Sequence, residues 1–197
     1  MYTIKNNINN ETIIKNSKFI CYLYKIEDTT QINKLLNETK EKHKDATHYC
    51  YAYILNNIKK AEDDGEPSKT AGIPILKVLE NNNLNKILAI VVRYFGGIKL
   101  GANGLIRAYT KSVTNTLIKD NIEKLIEGYN IDIEFNYNQV KEIDYLLKDI
   151  HINNKTFNNT IIYNIDIPKE FLTTIKSINI KYNINKETLI TYQIDKI

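Results

Sequence analysis

The sequence predicts an α+β protein of two domains, and two patterns lead to this prediction. Short runs in which apolar and polar residues alternate, typical of strands, are interspersed with stretches in which apolar residues recur every three or four positions, typical of amphipathic helices. This series ends near Gly128, and a second series begins there. Because 197 residues suffice for two small domains, we expect one domain over residues 1–126, a second over residues 127–197, and a short linker near residues 126–128.

The first domain is predicted to contain four strands and three helices. In chain order they are two strands within residues 11–26, a helix over 28–42, a strand over 47–55, a helix over 71–82, a strand over 86–93 and a helix over 103–120. Alternation in the third strand places His48 and Cys50 on one face and Tyr49, Tyr51 and Tyr53 on the other. The apolar stripe of the last helix is predicted to comprise Ile106, Tyr109, Val113 and Leu117.

The second domain is predicted to follow the order strand–helix–strand–strand–helix–strand. These elements are expected over residues 129–135, 138–149, 152–157, 160–167, 168–178 and 186–194. This is the βαββαβ order of ferredoxin-like domains, for which about 70 residues suffice. Residues 1–126 carry 19 Lys and Arg against 13 Asp and Glu, whereas residues 127–197 carry 8 against 10. The first domain is therefore the one expected to contact a polyanion.

The composition, 43% hydrophobic and 25% charged, is that of an ordinary globular protein. No apolar run approaches the ~20 residues of a membrane span, and the first residues lack the basic and apolar regions of a signal peptide. We therefore expect a cytoplasmic protein that does not contact membranes. In that compartment Cys21 and Cys50, which lie in strand-like stretches, should be reduced and buried. Three His without a C-x-x-C pair predict no zinc site.

The stretch between the strand over 86–93 and the following helix is a glycine loop, residues 96–104. It contains four of the seven glycines of the chain, which are Gly96, Gly97, Gly101 and Gly104. Its flanks and interior carry four cations, which are Arg93, Lys99, Arg107 and Lys111. A strand, a glycine loop and a helix with several cations form an arrangement that suits a phosphate ligand. The alternative is a tight turn whose glycines only solve a packing problem.

The known nucleotide-binding loops do not match this glycine loop. Gly96 and Gly101 have the spacing of a Walker A loop, but Ala102 and Asn103 stand where Lys and Ser or Thr are required. A dinucleotide-binding loop would need a second glycine at position 103. The sequence therefore predicts an anion-contacting loop of another kind, and it implies no cofactor.

A second informative stretch, the acidic loop of residues 63–72, precedes the helix over 71–82. Its candidate site residues are Asp63, Asp64, Gly65, Glu66, Pro67, Ser68, Lys69 and Thr70. The three carboxylates could hold Mg²⁺ if folding brings this loop against the glycine loop. The simpler interpretation is an acidic turn in which Asp64-Gly65 shapes the backbone, Asp63 or Glu66 forms a cap, and Thr70 caps the helix.

Three segments carry a resemblance to a known family: ATHYCYAY (46–53), DDGEPSKTAGIPIL (63–76) and VVRYFGGIKLGANGLIRAY (91–109). On these residues the chain is identified as a member of the IMPACT/YigZ family of uncharacterised or translation-associated proteins. The resemblance implies an N-terminal α/β sandwich like domain IV of elongation factor G and a C-terminal domain like domain V. The family usually has Gly where Lys69 and Asn103 stand. Asn103 is expected to keep a left-handed backbone and to cap the helix, whereas Lys69 adds a cation.

The residues and the resemblance together predict an RNA- or ribosome-binding protein that regulates translation. The four cations and Lys69 would contact phosphates, the tyrosine face would stack on unpaired bases, and His48 would face the cleft. One alternative is a Mg²⁺-dependent enzyme that acts on a phosphorylated small molecule or nucleic acid, although no set of residues demands catalysis. Another is a protein-interaction adaptor that docks through the acidic second domain.

Overall fold

The structure, a computed structural model, describes residues 1–192. The chain forms two compact units, Met1–Lys124 and Leu125–Ile197, so the division falls two residues before the expected one. The prediction of a linker near residues 126–128 was wrong, because strand β7 (Ile122–Phe135) runs through them. Gly128 lies in this strand for a packing reason. A Cβ atom there would lie 2.4 Å from the carbonyl oxygen of Ile167 in the neighbouring strand.

The first unit contains a five-stranded antiparallel sheet. Its elements are β1 (Tyr2–Ile4), β2 (Ile8–Ile14), β3 (Ser17–Lys25), α1 (Thr30–Lys42), β4 (His48–Leu55), β5 (Ile58–Glu62), α2 (Gly72–Asn81), β6 (Ile87–Tyr94) and α3 (Ala102–Thr116). The sheet order is β2-β3-β6-β4-β5, and β1 pairs with the first residues of β7. The sequence did not predict β1 and β5, because β1 is three residues long and β5 is a polar edge strand with its first three residues exposed.

The sheet of the first unit has an apolar core on each face. Cys50, Ala52 and Ile54 of β4 belong to the core formed with α2 and α3. The alternate residues of β4 belong to the core formed with α1, where Tyr53 is buried and Tyr49 and Tyr51 are half-buried. The two faces are therefore those that the alternation predicted. The tyrosine face is not the open stacking surface that was expected, because the apolar side of α1 packs over it.

Strand β6 lies at the centre of this sheet, and both of its faces are buried from Ile87 to Arg93. A continuous β-branched and apolar run is typical of such a strand. Its carboxyl end leads to the elements that matter most for function. The carboxyl end continues into the glycine loop, and its last residues pair with the start of β4, where His48 stands opposite Arg93.

The second unit has the predicted order of elements after the start of β7. They are α4 (Val140–Leu146), β8 (His151–Phe157), β9 (Ile161–Pro168), α5 (Leu172–Ser177) and β10 (Lys181–Tyr192). Strand β7 pairs with both β9 and β10, and β8 pairs with β9. Strand β10 begins five residues before the predicted start, and residues 193 and 194 of the predicted strand lie outside the described residues. Apolar residues of β7 and β9 form the core with α4 and α5.

On the other face of this sheet, the side chains of β7 and β9 form a ladder of amides and carboxylates. Asn164 Nδ2 donates to Asp132 Oδ1 over 2.6 Å, and Asn130 Nδ2 donates to Asp166 Oδ1 over the same distance. This alternation is typical of a sheet with one apolar and one polar face. In the part of the chain that the structure describes, no helix is long and apolar enough to cross a membrane.

Candidate functional site

Asp63 occupies the N-terminus of helix α2. Its Oδ1 accepts hydrogen bonds from the backbone N–H groups of Ala71 (3.0 Å) and Gly72 (2.8 Å), and its Oδ2 accepts one from Lys69 (2.7 Å). The interpretation of Asp63 as a cap is thus confirmed. The prediction that Thr70 caps α2 was wrong, because its hydroxyl donates instead to the carbonyl oxygen of Pro67 over 2.6 Å. A carboxylate eight and nine residues upstream supplies the acceptor that helix N-termini require.

Asp64 and Gly65 turn the acidic loop back toward strand β4. Both have a positive φ, +43° and +84°, as the Asp-Gly dipeptide predicted. Asp64 Oδ2 accepts a hydrogen bond from the backbone N–H of Tyr49 over 2.6 Å, and its carbonyl oxygen accepts one from His48 Nδ1 over 2.8 Å. A carbonyl oxygen can only accept, so Nδ1 of His48 carries the proton. Pro67, Ser68 and Lys69 form an exposed tip of the loop.

Glu66 is the buried centre of a polar network. Its Oε1 accepts hydrogen bonds from Arg93 (2.5 Å) and from the Tyr109 hydroxyl (2.7 Å), and its Oε2 lies 4.0 Å from His48 Nε2. Glu66 is 8% exposed and Arg93 is 5% exposed. One carboxylate therefore joins the acidic loop to strand β6 and to helix α3. The sequence did not predict this role of Glu66, because only the fold brings residues 66, 93 and 109 together.

Arg93 is not one of the surface cations that were expected to bind phosphate. Its guanidinium is paired with Glu66 and lies between two aromatic rings, 5.4 Å from the centroid of Phe19 and 5.5 Å from that of Phe95. The prediction was wrong because it counted the charge of Arg93 without knowing where its side chain points. A buried guanidinium near the end of a strand that is buried on both faces needs a buried counter-charge, and Glu66 supplies it.

The three carboxylates of the acidic loop do not form the predicted Mg²⁺ cluster. Asp63 binds the amides of α2, Asp64 binds an amide of β4, and Glu66 pairs with Arg93. Within residues 1–192 no group of three or more His, Cys, Asp and Glu side chains is arranged to hold a metal ion. The hypothesis that the carboxylates of the acidic loop hold Mg²⁺ was therefore wrong, because they are not arranged as ligands of one ion.

Both cysteines are buried free thiols, as predicted. The Sγ of Cys50 lies 2.9 Å from the carbonyl oxygen of Asp63 and 3.3 Å from the Tyr109 hydroxyl. Burial raises the pKa of Cys50 far above its usual value, and raises the pKa of Cys21 to about 12. Burial, followed by the proximity of Cys50 and Glu66, also raises the pKa of Tyr109. These groups are neutral near pH 7, which makes Cys50 a poor nucleophile.

The glycines of the glycine loop serve different purposes. A Cβ on Gly96 would lie 2.0 Å from the backbone of Asn16, so this glycine lets the loop pack on the β2–β3 turn. Gly97 and Gly101 have open space around them but need positive φ values of +82° and +70°. Gly104 lies in the first turn of α3, where a Cβ would be 3.0 Å from that of Leu100. The packing alternative therefore explains Gly96, whereas Gly97 and Gly101 shape an exposed loop.

Helix α3 begins without a side-chain cap. Gly101 precedes its first residue, no side chain caps it, and the first turn contains no acidic residue. Asn103 lies inside this turn and does not have a positive φ, so the prediction that it forms a left-handed cap was wrong. Gly101 takes the left-handed conformation, two residues earlier. The free N–H groups at this end, together with the helix dipole, favour an anion.

Exposed cations and apolar side chains surround the start of α3. Lys99, Arg107 and Lys111 are exposed and make no ion pair with any residue that the structure describes. Phe95 is 47% and Ile98 46% exposed. Ile106, predicted for the apolar stripe of α3, is 38% exposed, and the neighbouring Leu105 is buried instead. The predicted stripe was thus displaced by one residue at its start.

Lys69 is exposed at the end of the acidic loop. It has a φ of +64°, which a glycine adopts at no steric cost. Its side chain borders a groove of about 220 Å³ between α2 and α3, together with Lys77 of α2 and Ile106 of α3. The acidic loop therefore reaches α3, through this groove and through the hydrogen bond between Tyr109 and Glu66. Its carboxylates are bound within the protein, whereas Lys69, Lys99, Arg107 and Lys111 are exposed.

The fold and site define a two-unit α+β protein whose first unit carries a strand, a glycine loop and a cationic helix. Residues 15–117 match the family model of the Impact N-terminal domain. The chain is 41% identical to IMPACT family member YvyE of Bacillus subtilis over 160 residues, which cover 76% of this chain and 74% of that protein. It is 32% identical to IMPACT family member YigZ of Escherichia coli, over 68% of each chain. The chain belongs to the IMPACT family.

A solved structure has the same fold. The crystal structure of a hypothetical protein matches with a TM-score of 0.65 and 26% identity, and covers 92% of this chain and 95% of that one. An IMPACT family member of Haemophilus influenzae is 34% identical over 72% of this chain and 71% of that protein. These similarities extend from the first unit into the second, so family membership covers most of the chain.

Proposed function

We propose that this protein binds RNA, free or in the ribosome, and acts in translation. The contact surface would be the glycine-loop surface, which we define as the side chains of Phe95, Ile98, Lys99, Arg107 and Lys111 with the first turn of α3. The observation that carries the proposal is the uncapped, acid-free start of α3 beside three exposed cations that have no counter-charge among residues 1–192. The resemblance to a family of uncharacterised or translation-associated proteins supports the choice of RNA over other anions.

The chemistry of this surface suits a nucleic-acid backbone. The free N–H groups of the first turn and the positive end of the helix dipole favour phosphate. Lys99 precedes this turn, and Lys111 stands about 14 Å further along the helix by its rise of about 1.5 Å per residue, so the cations can reach more than one phosphate. Phe95 takes the stacking role on this surface, since an exposed aromatic ring can stack on an unpaired base.

The salt dependence of binding follows from the revised set of contacts. Arg93 is removed from it, so three cations remain. If each neutralises one phosphate, log K should fall with log salt with a slope of about −2 to −3. A slope near zero would remove the phosphate contacts from the proposal.

The experiment measures the affinity for ribosomes and for single-stranded RNA across a salt series. The test variant is Lys99→Ala/Arg107→Ala/Lys111→Ala, and the control is Lys5→Ala/Lys119→Ala/Lys124→Ala, which removes the same charge from exposed positions of the same unit. We expect the test variant to unfold at the wild-type temperature, to bind at least tenfold more weakly at low salt, and to lose most of the slope. Equal loss in the control would reduce the effect to net charge.

We also infer the finer fold of each unit. The sheet of the second unit has the order β10-β7-β9-β8, which supports a ferredoxin-like fold together with the βαββαβ order of its elements. For the first unit, the family resemblance supports a fold like domain IV of elongation factor G. Competition tests the functional side of this likeness. If the resemblance includes the ribosomal site, elongation factor G should displace this protein from ribosomes.

The two alternative functions differ in their support. The geometry of Asp63, Asp64 and Glu66 gives none to a Mg²⁺-dependent enzyme, because all three carboxylates have partners within the protein. The adaptor hypothesis, which needs a protein partner for the second unit, stays a prediction.

A further inference from the structure

A second concave site lies on the opposite face of the first unit's sheet, the face covered by α1. It is a cavity of about 280 Å³ between the start of α1 and the strands β4 and β5. Its lining residues are Thr29, Thr30, Ile32, Asn33, Tyr51, Tyr53 and Lys60. None of them belongs to the glycine-loop surface, so this site needs an explanation of its own.

The base of the cavity is apolar, aromatic and held in place by the core. Ile32 is 5% exposed, Tyr53 is 8% exposed and Tyr51 is half-buried. All three belong to, or pack against, the core between the sheet and α1. The rings of Tyr51 and Tyr53 are therefore held in position before a ligand binds. A preformed aromatic wall favours a planar ligand that can stack on it.

The rim of the cavity is polar and mainly hydrogen-bonding. Asn33 is exposed on the first turn of α1, and its amide can donate and accept at once, as the edge of a nucleobase requires. The hydroxyl groups of Thr29 and Thr30 stand beside it. The Thr30 hydroxyl donates to Asp28 Oδ1 over 2.5 Å, so the Thr29 hydroxyl and the Asn33 amide are the groups available to a ligand.

One cation completes the rim. Lys60 Nζ lies 6.0 Å from the centroid of the Tyr51 ring and 3.0 Å from Glu62 Oε1. Both members of this ion pair are about half exposed, at 50% and 45%, and such a pair contributes little free energy. A phosphate group can therefore replace Glu62 as the partner of Lys60 without a large penalty, and it would be bound next to the aromatic wall.

We propose that this cavity binds a nucleobase that carries a phosphate. The base stacks on Tyr51 over Tyr53 and Ile32, its edge bonds to Asn33, and the phosphate pairs with Lys60. The cavity is slightly smaller than the roughly 300 Å³ at which sites for drug-sized ligands begin, which suits one nucleotide. Such a group can come from a free nucleotide or from one unpaired nucleotide of an RNA. The site does not depend on RNA binding by the glycine-loop surface.

The experiment uses the full chain with adenosine and uridine monophosphate, the two nucleosides, and a ten-nucleotide single-stranded RNA as probes in titration calorimetry. The variants are Tyr51→Leu, which keeps apolar volume and removes the ring, Asn33→Ala, and Lys60→Ala. Tyr49→Leu is the matched control, a half-buried tyrosine of the same strand that does not line the cavity.

We expect a mononucleotide affinity that falls at least tenfold in Tyr51→Leu and several-fold in Asn33→Ala, but is unchanged in Tyr49→Leu. In Lys60→Ala the preference for nucleotide over nucleoside should disappear. If the mononucleotides do not bind but these variants weaken RNA binding, the ligand is a nucleotide of RNA. The proposal would be overturned if Tyr51→Leu and Asn33→Ala bound each probe as the wild type does, or if the wild type bound none of the probes.

Two further results keep this proposal separate from the proposed function. Lys99→Ala/Arg107→Ala/Lys111→Ala should retain the wild-type mononucleotide affinity, whereas Tyr51→Leu should retain the contribution of the glycine-loop surface to the salt slope. Asn33 is exposed on the surface of α1, so Asn33→Ala stays informative if the replacement of Tyr51 weakens the fold.

Discussion

Helices α2 and α3 begin in opposite ways, and the contrast separates structure from function in this molecule. Both follow a loop that combines charged residues with left-handed backbone, at Asp64, Gly65 and Lys69 before α2 and at Gly97 and Gly101 before α3. At the start of α2 the backbone amides are bound by Asp63. At the start of α3 no side chain caps the helix and no acid occupies the first turn.

The contrast shows that charge in a loop is informative only when the partner of that charge is known. In the acidic loop every carboxylate is used within the protein, so its conspicuous Asp-Asp-Gly-Glu sequence is structural. In the glycine loop and on α3, the exposed cations make no ion pair within the part of the chain that the structure describes. An anion from outside can complete the start of α3 as Asp63 completes the start of α2.

The largest effect should follow from breaking the buried pair of the acidic loop. Glu66→Ala would leave Arg93 charged, buried and unpaired, which we expect to lower the free energy of unfolding by about 3–5 kcal/mol. Urea denaturation measures it. Glu62→Ala, which removes an exposed partner of Lys60, should change it by less than about 1 kcal/mol. If Glu66→Ala is as stable as Glu62→Ala, the network does not hold the acidic loop in place.

A smaller loss of stability should follow from removing the carboxylates that bind backbone N–H groups in the acidic loop and at the start of α2. Asp63 accepts three backbone hydrogen bonds and Asp64 accepts one through its carboxylate. We expect Asp63→Ala to cost about 2 kcal/mol and Asp64→Ala about 1 kcal/mol. The measurement is thermal and urea unfolding of both variants. The reverse order would mean that the cap of α2 is not the main role of this loop.

A gain in stability should follow at Lys69. Its left-handed backbone strains a side chain but not a glycine, so we expect Lys69→Gly to stabilise the protein by about 0.5–1 kcal/mol. Lys77→Gly, the same change at an exposed position inside α2, should destabilise by about 1 kcal/mol. Two changes of the same sign in unfolding experiments would refute the role of φ.

The smallest effect should come from pH, at a histidine outside both loops. The ring nitrogens of His43 lie 2.7 Å from the Tyr22 hydroxyl and 2.9 Å from that of Tyr94. Burial, with Lys42 and Lys18 nearby, lowers the pKa of His43 in the folded state. Its contribution is therefore complete above the unfolded pKa of about 6.5 and decreases as the pH falls below it, because the unfolded chain then binds the proton more tightly.

This pH effect is tested on the melting temperature between pH 7.5 and 5.5. His43→Gln should flatten the decrease in that range. A decrease of the same size in the variant would assign the effect to other groups, those of the acidic loop among them.

Much of the fold could be predicted from the sequence, because it depends on local patterns. Alternation gave the faces of β4 correctly, and the turn residues placed the helices within a few positions. The edge strand β5 was missed because its sequence, IKKAE, has no alternation of apolar and polar residues. The error at the linker came from taking the restart of the pattern near Gly128 as a break between elements, whereas Gly128 lies inside a strand, where β9 approaches too closely for a Cβ.

The candidate site could be predicted only in outline. The positions of the loops and the exposure of Lys99 and Arg107 follow from local sequence. The burial of Arg93 depends on Glu66, which is 27 residues away, and no local pattern reports such a pairing. The same limit explains the tyrosines. Their common face and the helix over 28–42 were predictable, but the packing of that helix over the face was not.

The contrast between the two helix starts is tested most directly by amide hydrogen exchange of the full chain with and without single-stranded RNA. In the free protein we expect slow exchange at Ala71 and Gly72, whose N–H groups are bound by Asp63, and fast exchange across residues 97–103. On binding, residues 97–103 should become protected, and residues 63–72 should not change. Protection of the acidic loop with no change in the glycine loop would contradict the assignment of structure to one and binding to the other.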